Sequence, residues 1–512
     1  MKIIWAAVVI AVAVAPVAAQ GKRTYYTDEK LAIMRHNVAK YDWARSQRDA
    51  AISAANNWAA YDDERLRKLV MPPQVPRTFG VHDGRCPVHG LEVPLYGWTI
   101  SLDRPFKVKC PVGGEEYPSN DFAKFLESGM KDRSLLTGDY ADDGWGWHMP
   151  GDKGKNNYWF VAYYAHFSMM RHVIPAIAAL GKAALVTEDE ELARKYAHQC
   201  AVLLWQMAEY YPDYDYGKQS REGKERNPNY TGKWTNKIWE VRTPNACAPA
   251  YDAVRPFLYE DVALQKLSGK TGPELDEMIR ERLLMEAARC ITDGSHRIAG
   301  NYGMHQKSLV LLALALDEQE KHPTSAEMID YVVANPNVAG YQDLGLRDAL
   351  ESLVYRDGMP PESINYNGIW LRDLATVAEA LTMVGINYYE NRRFQKLLSW
   401  PFSIYVAGLG TPMMGDRGGL FLAGSYWRAD ICRAALKHYY DPRMAWVVKT
   451  KGAAAGGDLF SEAPEEVLAK LPEQEASPIG VTSTHLPGYG VGILQSGSDA
   501  NRTASLLVYG AH

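Results

Sequence analysis

Asn301-Tyr302-Gly303-Met304-His305-Gln306 leads directly into residues 307–321, where Leu309, Leu312, Ala313 and Leu316 recur at helical spacing. A short polar and glycine-containing segment followed by an apolar stripe of that period marks the opening of a helix. The same pattern recurs at 28–58, 158–180, 189–211, 274–290, 345–353 and 371–384, with Gly, Pro and Asp clusters between. From about residue 27 to 440 the chain therefore reads as mainly α, its helices joined into antiparallel hairpins. Two unpatterned stretches, 137–157 and 212–236, are longer than such hairpins need, and loops of that length commonly carry function. After about residue 455 the period changes. A charged connector at 461–476 gives way to 479–484, 488–495 and 503–509, which read as strands around the turn Ser496-Gly497-Ser498-Asp499. About thirty residues of sheet cannot bury a core alone, so these strands either pack on the helical part or belong to a chain that continues past residue 512, and continuation is the expectation.

The start of the chain sets a compartment. Met1-Lys2, an apolar run over 3–14, Pro16 and the small residues Val17-Ala18-Ala19 read as a secretory signal over 1–19, cleaved before Gln20, with an uncleaved anchor as the alternative. The mature protein is expected to be secreted or periplasmic and not membrane-bound, and no other stretch is read as a span. A formal charge of −5 over 512 residues gives no support for a nucleic-acid partner, and an anionic ligand would have to be met by locally placed groups. With 31 Tyr and 14 Trp, composition leaves open how much aromatic surface is core and how much stacks on ligand. The sequence leaves the oligomeric state open.

Asn301, His305 and Tyr366 carry the chemistry. On a helix Asn301 and His305, four residues apart, share a face. Tyr366 follows the turn Asp357-Gly358-Met359-Pro360-Pro361 among Glu362, Ser363, Asn365 and Asn367. An amide donor, an imidazole and a phenol suit removal of a carbon-bound proton beside a carboxylate. The plainer readings are a helix-capping asparagine, a core histidine and a buried tyrosine. Gln306, Tyr302 and Glu362 join them as substrate-binding candidates. So do Trp145 and Trp147, from the loop Asp142-Asp143-Gly144-Trp145-Gly146-Trp147-His148, which forms either a sugar-stacking subsite or a plug. Cys86-Pro87-Val88-His89 and Cys110-Pro111-Val112-Gly113 look like two zinc knuckles lacking a fourth ligand where Gly113 stands. His82 or an outside carboxylate could substitute. A structural zinc on Cys86, His89 and Cys110, a Cys86–Cys110 disulfide and two free thiols all stay open, and none is catalytic. Cys200, Cys247, Cys290 and Cys432 read as buried thiols.

The chain resembles the heparinase II/III-like polysaccharide lyases and the neighbouring alginate-lyase branches. The resemblance rests on Tyr41-Asp42-Trp43-Ala44, the Asp142 to Trp147 motif, Ala250-Tyr251-Asp252, Asn301-Tyr302-Gly303, Asp357-Gly358 with Glu362-Ser363 and Tyr366, Gly415-Asp416, and residues 506–512. It implies an incomplete α/α toroid over 20–455, with a Cys/His insertion at 80–120, followed at 456–512 by a linker and the first strands of an antiparallel β-sandwich. It further implies β-elimination on an acidic, uronate-containing polysaccharide, with no cofactor required for catalysis. Asn301 would neutralise the carboxylate, Tyr366 would act as general acid and, in syn elimination, as base, and His305 would be a base or second neutraliser. His512 would open a histidine-bearing stretch of the sandwich. Two other readings are kept: a glycoside hydrolase on the same fold, pairing Asp142 or Asp143 with Glu362, and a non-catalytic glycan-binding protein.

Overall fold

The computed structural model describes residues 21–81, 84–225, 230–316, 320–335, 338, 340–415, 422–473, 477–498 and 501–510. The expected signal peptide, His82, Asp416 and His512 lie outside the described residues.

The chain is mainly helical, as its periodicity predicts. The stretch expected as one helix at 28–58 forms two, α1 Asp28–Lys40 and α2 Asp42–Asn56. They part at Tyr41, held extended at φ −118° and ψ 135°. Its ring stacks on Trp43 at 5.9 Å and its hydroxyl donates to Glu466 at 2.9 Å, so a distant carboxylate fixes the break.

Helix α3 Phe160–Ser168 continues through a π-helical turn, Met169–Val173, into α4 Ile174–Val186. Pro175 explains the wide turn: it offers no N–H, and its ring would strike the Arg171 carbonyl in a regular ladder. By length and composition Phe160–Val186 is apolar enough to cross a membrane, which corrects the reading that no stretch after the signal is. Here it is a core helix, with Val161, Ala165, Ile177 and Leu180 fully buried. Its apolarity on all sides is what burial between helices requires.

The chain then runs through α5 Glu190–Tyr210, α6 Arg242–Leu258, α7 Gly272–Ile279, α8 Glu286–Thr292, α9 Met304–Leu316, α10 Ser325–Ala334, α11 Leu346–Ser352, α12 Ile364–Thr382 and α13 Arg392–Ser403. Helices α4, α6, α9 and α12 lie side by side in that order. They run the same way, since paired contacts advance together along each neighbouring pair: His166–Trp239 then Gly181–Ala250, Ser308–Asn245 then Thr24 bridging Asp252 and Leu314, and Tyr302–Trp370 then Lys307–Asp373. Close approach at the first contact needs Gly181, where an added Cβ would stand 2.8 Å from Ala250 Cα. Ser308 of α9 donates to Asn245 Oδ1 of α6 at 3.1 Å, and Lys307 pairs with Asp373 of α12 at 3.3 Å. These contacts set the axial register, so the N-terminal ends of α6, α9 and α12 gather at one end of the molecule.

Small antiparallel sheets complete the fold. Strands β1 Thr99–Ile100, β2 Val108–Lys109 and β3 Glu116–Tyr117 form the core of the 80–120 insertion, and β4 Trp147–His148 pairs with β5 Asn157–Tyr158. Strands β6 Thr411–Pro412 and β7 Leu422–Ala423 pair likewise. At the C-terminal end β8 Thr484–Leu486, β9 Val491–Ser496 and β10 Thr503–Val508 form a sheet in the order β10-β9-β8. The strand expected at 479–484 begins only at Thr484, and the connector expected at 461–476 contains a helix, Pro464–Ala469. Leu486, Tyr489, Val491 and Ile493 bury one face against the helices, whereas Leu494 and Leu507 are 67% and 63% exposed.

Candidate functional site

The N-terminal end of α9 is built by the turn Asn301-Tyr302-Gly303. Gly303 sits at φ +94° with room for a Cβ at ordinary contact distance from Asp373, so backbone strain, not space, is what favours glycine there. The Met304 N–H bonds the Asn301 carbonyl at 3.0 Å, and the helix begins at Met304. Asn301 is therefore outside the helix, and the expectation that it and His305 share a helical face is corrected: Gly303 turns the chain between them.

Each residue of this segment has a definite place. Asn301 is half-buried. Tyr302, expected to touch substrate, is fully buried and stacks on Trp370 of α12 at 4.4 Å. Gln306 is buried too: its Oε1 accepts from the Gly303 N–H at 2.9 Å and its Nε2 donates to the Gln342 carbonyl at 2.8 Å. That is the return bond of a capping box, made by the third helical residue, and it commits both ends of the amide. His305 is 1% exposed and neither ring nitrogen completes a hydrogen bond among the described residues. Burial pushes its imidazole down to about 4, with the Asp343 carboxylate and the Gln342 and Gly300 carbonyls opposing.

Tyr366 belongs to the first turn of α12, which starts at Ile364, seven residues before the expected helix at 371–384. The buried Asn367 explains the early start: its Oδ1 accepts from the Glu362 N–H at 3.2 Å and its Nδ2 donates to the Pro360 carbonyl at 3.0 Å. Those bonds tie the approach to the helix that follows it. Tyr366 is half-buried. The Trp370 indole donates to Glu362 at 3.3 Å, and the Tyr489 hydroxyl donates to the Glu362 carbonyl at 2.8 Å. Through Tyr302, Trp370 and Glu362 the two segments, sixty residues apart in sequence, lie against each other.

The tryptophan loop stands apart from this contact. Asp142 is fully buried and accepts from the backbone N–H groups of Gly144, Gly146 and Val161 at 2.7, 2.9 and 3.0 Å. Burial raises its carboxyl to about 6 against those three bonds. Asp143 accepts from the Trp145 N–H at 3.0 Å and meets Arg133 at 3.3 Å. Both carboxylates thus shape the loop that the hydrolase reading would have opposed to Glu362. Trp147 packs between Tyr140 and Tyr158, and Lys224 lies 3.2 Å above the Trp145 ring. Asp252, from another motif, binds the N-terminal segment through the backbone of Thr24, Tyr25 and Tyr26.

Sequence reasoning missed an aromatic patch. Phe79, Tyr230 and Trp239 are half-buried and Tyr96 is 39% exposed. The Phe79 ring lies 5.6 Å from Trp239 and 6.1 Å from Tyr230. Beneath them His166 is fully buried with both ring nitrogens unpartnered among the described residues, and burial, reinforced by Arg77, Arg171 and Arg242, pushes it down to about 3. The Ala299 N–H donates to the Lys237 carbonyl at 3.2 Å, so the Trp239 turn adjoins the Asn301 turn. The only prior signal was a histidine on an apolar helix, which by itself does not point to a site.

In the 80–120 insertion, Cys86 and Cys110 are both buried and free, and their sulfurs lie 3.7 and 3.6 Å from His89 Nδ1. The three ligand atoms fall within 4.8 Å of one another, close enough to hold a metal ion. Cys200, Cys247, Cys290 and Cys432 are buried free thiols, as expected. No family model matches the chain, and no curated protein does.

Proposed function

We propose that the protein is an exported polysaccharide lyase that cleaves a uronate-containing glycan by β-elimination, on an incomplete α/α toroid of the heparinase II/III-like kind. The contact of the Asn301 turn with the first turns of α12 carries the reading. In its support, Asn301 and Tyr366 are both half-buried and belong to segments joined by the Tyr302–Trp370 stack and the Trp370–Glu362 bond.

The chemistry follows from what each group offers. A uronate C5 proton is weakly acidic because its carboxylate resists further negative charge. The Asn301 amide can donate to that carboxylate and stabilise the enolate-like charge that develops. Helix side chains lean toward the N-terminus, where the dipole is positive, so negative charge passing through the Tyr366 phenol is favoured. Tyr366 takes the C5 proton and returns one to the departing O4, leaving a C4–C5 double bond. His305, neutral and enclosed, positions the Asn301 turn from below. The patch of Phe79, Tyr96, Tyr230 and Trp239 offers flat faces for sugar rings, and Arg242 beside it, 6.0 Å from the Trp239 ring, offers charge for an acidic chain.

The experiment is a screen of acidic polysaccharides for new ultraviolet absorbance. A lyase creates a conjugated unsaturated uronate; a hydrolase yields reducing ends without it, and a binding protein yields neither. Glycan cleavage without that absorbance would reject elimination.

A further inference from the structure

We infer that Glu115 is the fourth ligand of a closed, structural zinc site with Cys86, His89 and Cys110. His89 Nδ1 stands 3.7 and 3.6 Å from the two sulfurs and 3.5 Å from Glu115 Oε2. A tetrahedral zinc, with bonds of about 2.3 Å to sulfur and about 2.0 Å to nitrogen or oxygen, sets its ligand atoms roughly 3.3–3.7 Å apart. The three ligand atoms of Cys86, His89 and Cys110 lie within 4.8 Å of one another, as a coordination sphere requires, and Glu115 stands at the His89 edge of that group.

Two further observations point at Glu115. Its Oε2 is buried without a hydrogen-bond partner among the described residues, although the side chain as a whole is 37% exposed. A buried, unsatisfied carboxylate oxygen beside the His89 ring is costly unless a cation joins them. At Gly113, where a second knuckle cysteine would stand, an added Cβ would fall 2.1 Å from His89 Cε1 and 2.3 Å from Glu115 Oε1. The volume a thiol would use is already filled by the carboxylate. Glycine at 113 is thus the counterpart of glutamate at 115, and the knuckle reads as altered and not degenerate.

Four protein ligands leave no position for a reacting water, so the site holds structure and does not catalyse. It would pin the turn carrying Cys86 and His89 to the β2–β3 hairpin, since Cys110 follows β2 and Glu115 precedes β3. Binding would release the two thiol protons. This inference is independent of the proposed lyase activity.

The test is the zinc content of the full mature chain, with affinity measured by competition against a chromophoric chelator. One zinc per chain is expected. Glu115→Gln should weaken binding about tenfold or more, as ligand loss does, while Glu116→Gln, an exposed neighbour paired with Arg104, should leave it unchanged. Cobalt(II) in place of zinc should give the strong visible bands of a tetrahedral thiolate site in wild type and altered bands in Glu115→Gln, a readout that does not depend on stability. Wild-type affinity and spectrum in Glu115→Gln would overturn the assignment. So would zinc-free protein with Cys86 and Cys110 joined as a disulfide.

Discussion

Tyr366 and Asn301 are half-buried residues of the two segments joined at the Tyr302–Trp370 contact, and their removal is the sharpest test. Tyr366→Phe should lower turnover by about 10²–10⁴-fold while glycan binding survives, measured by ultraviolet absorbance and by calorimetry; near wild-type turnover would remove the phenol from the reaction. Asn301→Ala should cost about 10²–10³-fold in kcat, with the fold intact by circular dichroism. His305 makes a pH prediction. Its imidazole lies near 4 because it is buried, below its value in the unfolded chain. The neutral ring's contribution to stability is therefore present above about pH 6.5 and is lost as pH falls through 4. His305→Gln should flatten denaturant-measured stability across that window, and no limb of kcat/KM should fall near 6.5. Asn301 and Tyr366 were legible as polar residues at turns. The burial of His305 was not, because Gln342 and Gly300, which enclose it, are set by packing and not by neighbours in sequence.

Elements begin and end where side chains satisfy the free backbone groups at their termini. Gln306 does this for α9, so Gln306→Ala should cost about 1 kcal/mol or somewhat more, read as a lowered denaturation midpoint. The same bond explains why a residue expected to meet substrate turns inward: the third helical position lets its amide reach back to Gly303. The early start of α12 escaped periodicity because Gly358, Pro360 and Pro361 announce a turn. Asn367 extends the helix back to Ile364 through bonds that no hydropathy pattern encodes. At Tyr41 the reverse happens: helical sequence is interrupted because Glu466, far along the chain, takes the tyrosine hydroxyl.

On the scale of the molecule, His198 of α5 joins distant parts of the chain, meeting Asp261 at 2.8 Å and Asp63 at 2.9 Å. The Asp261 hydrogen bond, against burial and with Asp63 adding, raises its imidazole to about 9. A raised folded value stabilises most below the unfolded value of about 6.5, and that stability is lost as pH rises through 9. Replacing His198 with Gln should remove on the order of 2 kcal/mol at pH 6 and little at pH 10, read from denaturant unfolding at the two pH values; an equal loss at both would mean the ring acts by packing alone. Sequence by itself determined the helical class and the change to strands near the C-terminal end, and marked Cys86-x-x-His89 and Cys110 as candidate ligands, because hydrophobic period and ligand spacing are local properties of the chain. Tertiary structure alone decided that α4, α6, α9 and α12 lie in one parallel row, that Tyr302 and Gln306 face inward, that Asp142 serves its own loop, and that Glu115 fills the place left by Gly113. Each of those outcomes depends on which distant backbone group or side chain arrives alongside, and packing, not sequence proximity, makes that choice.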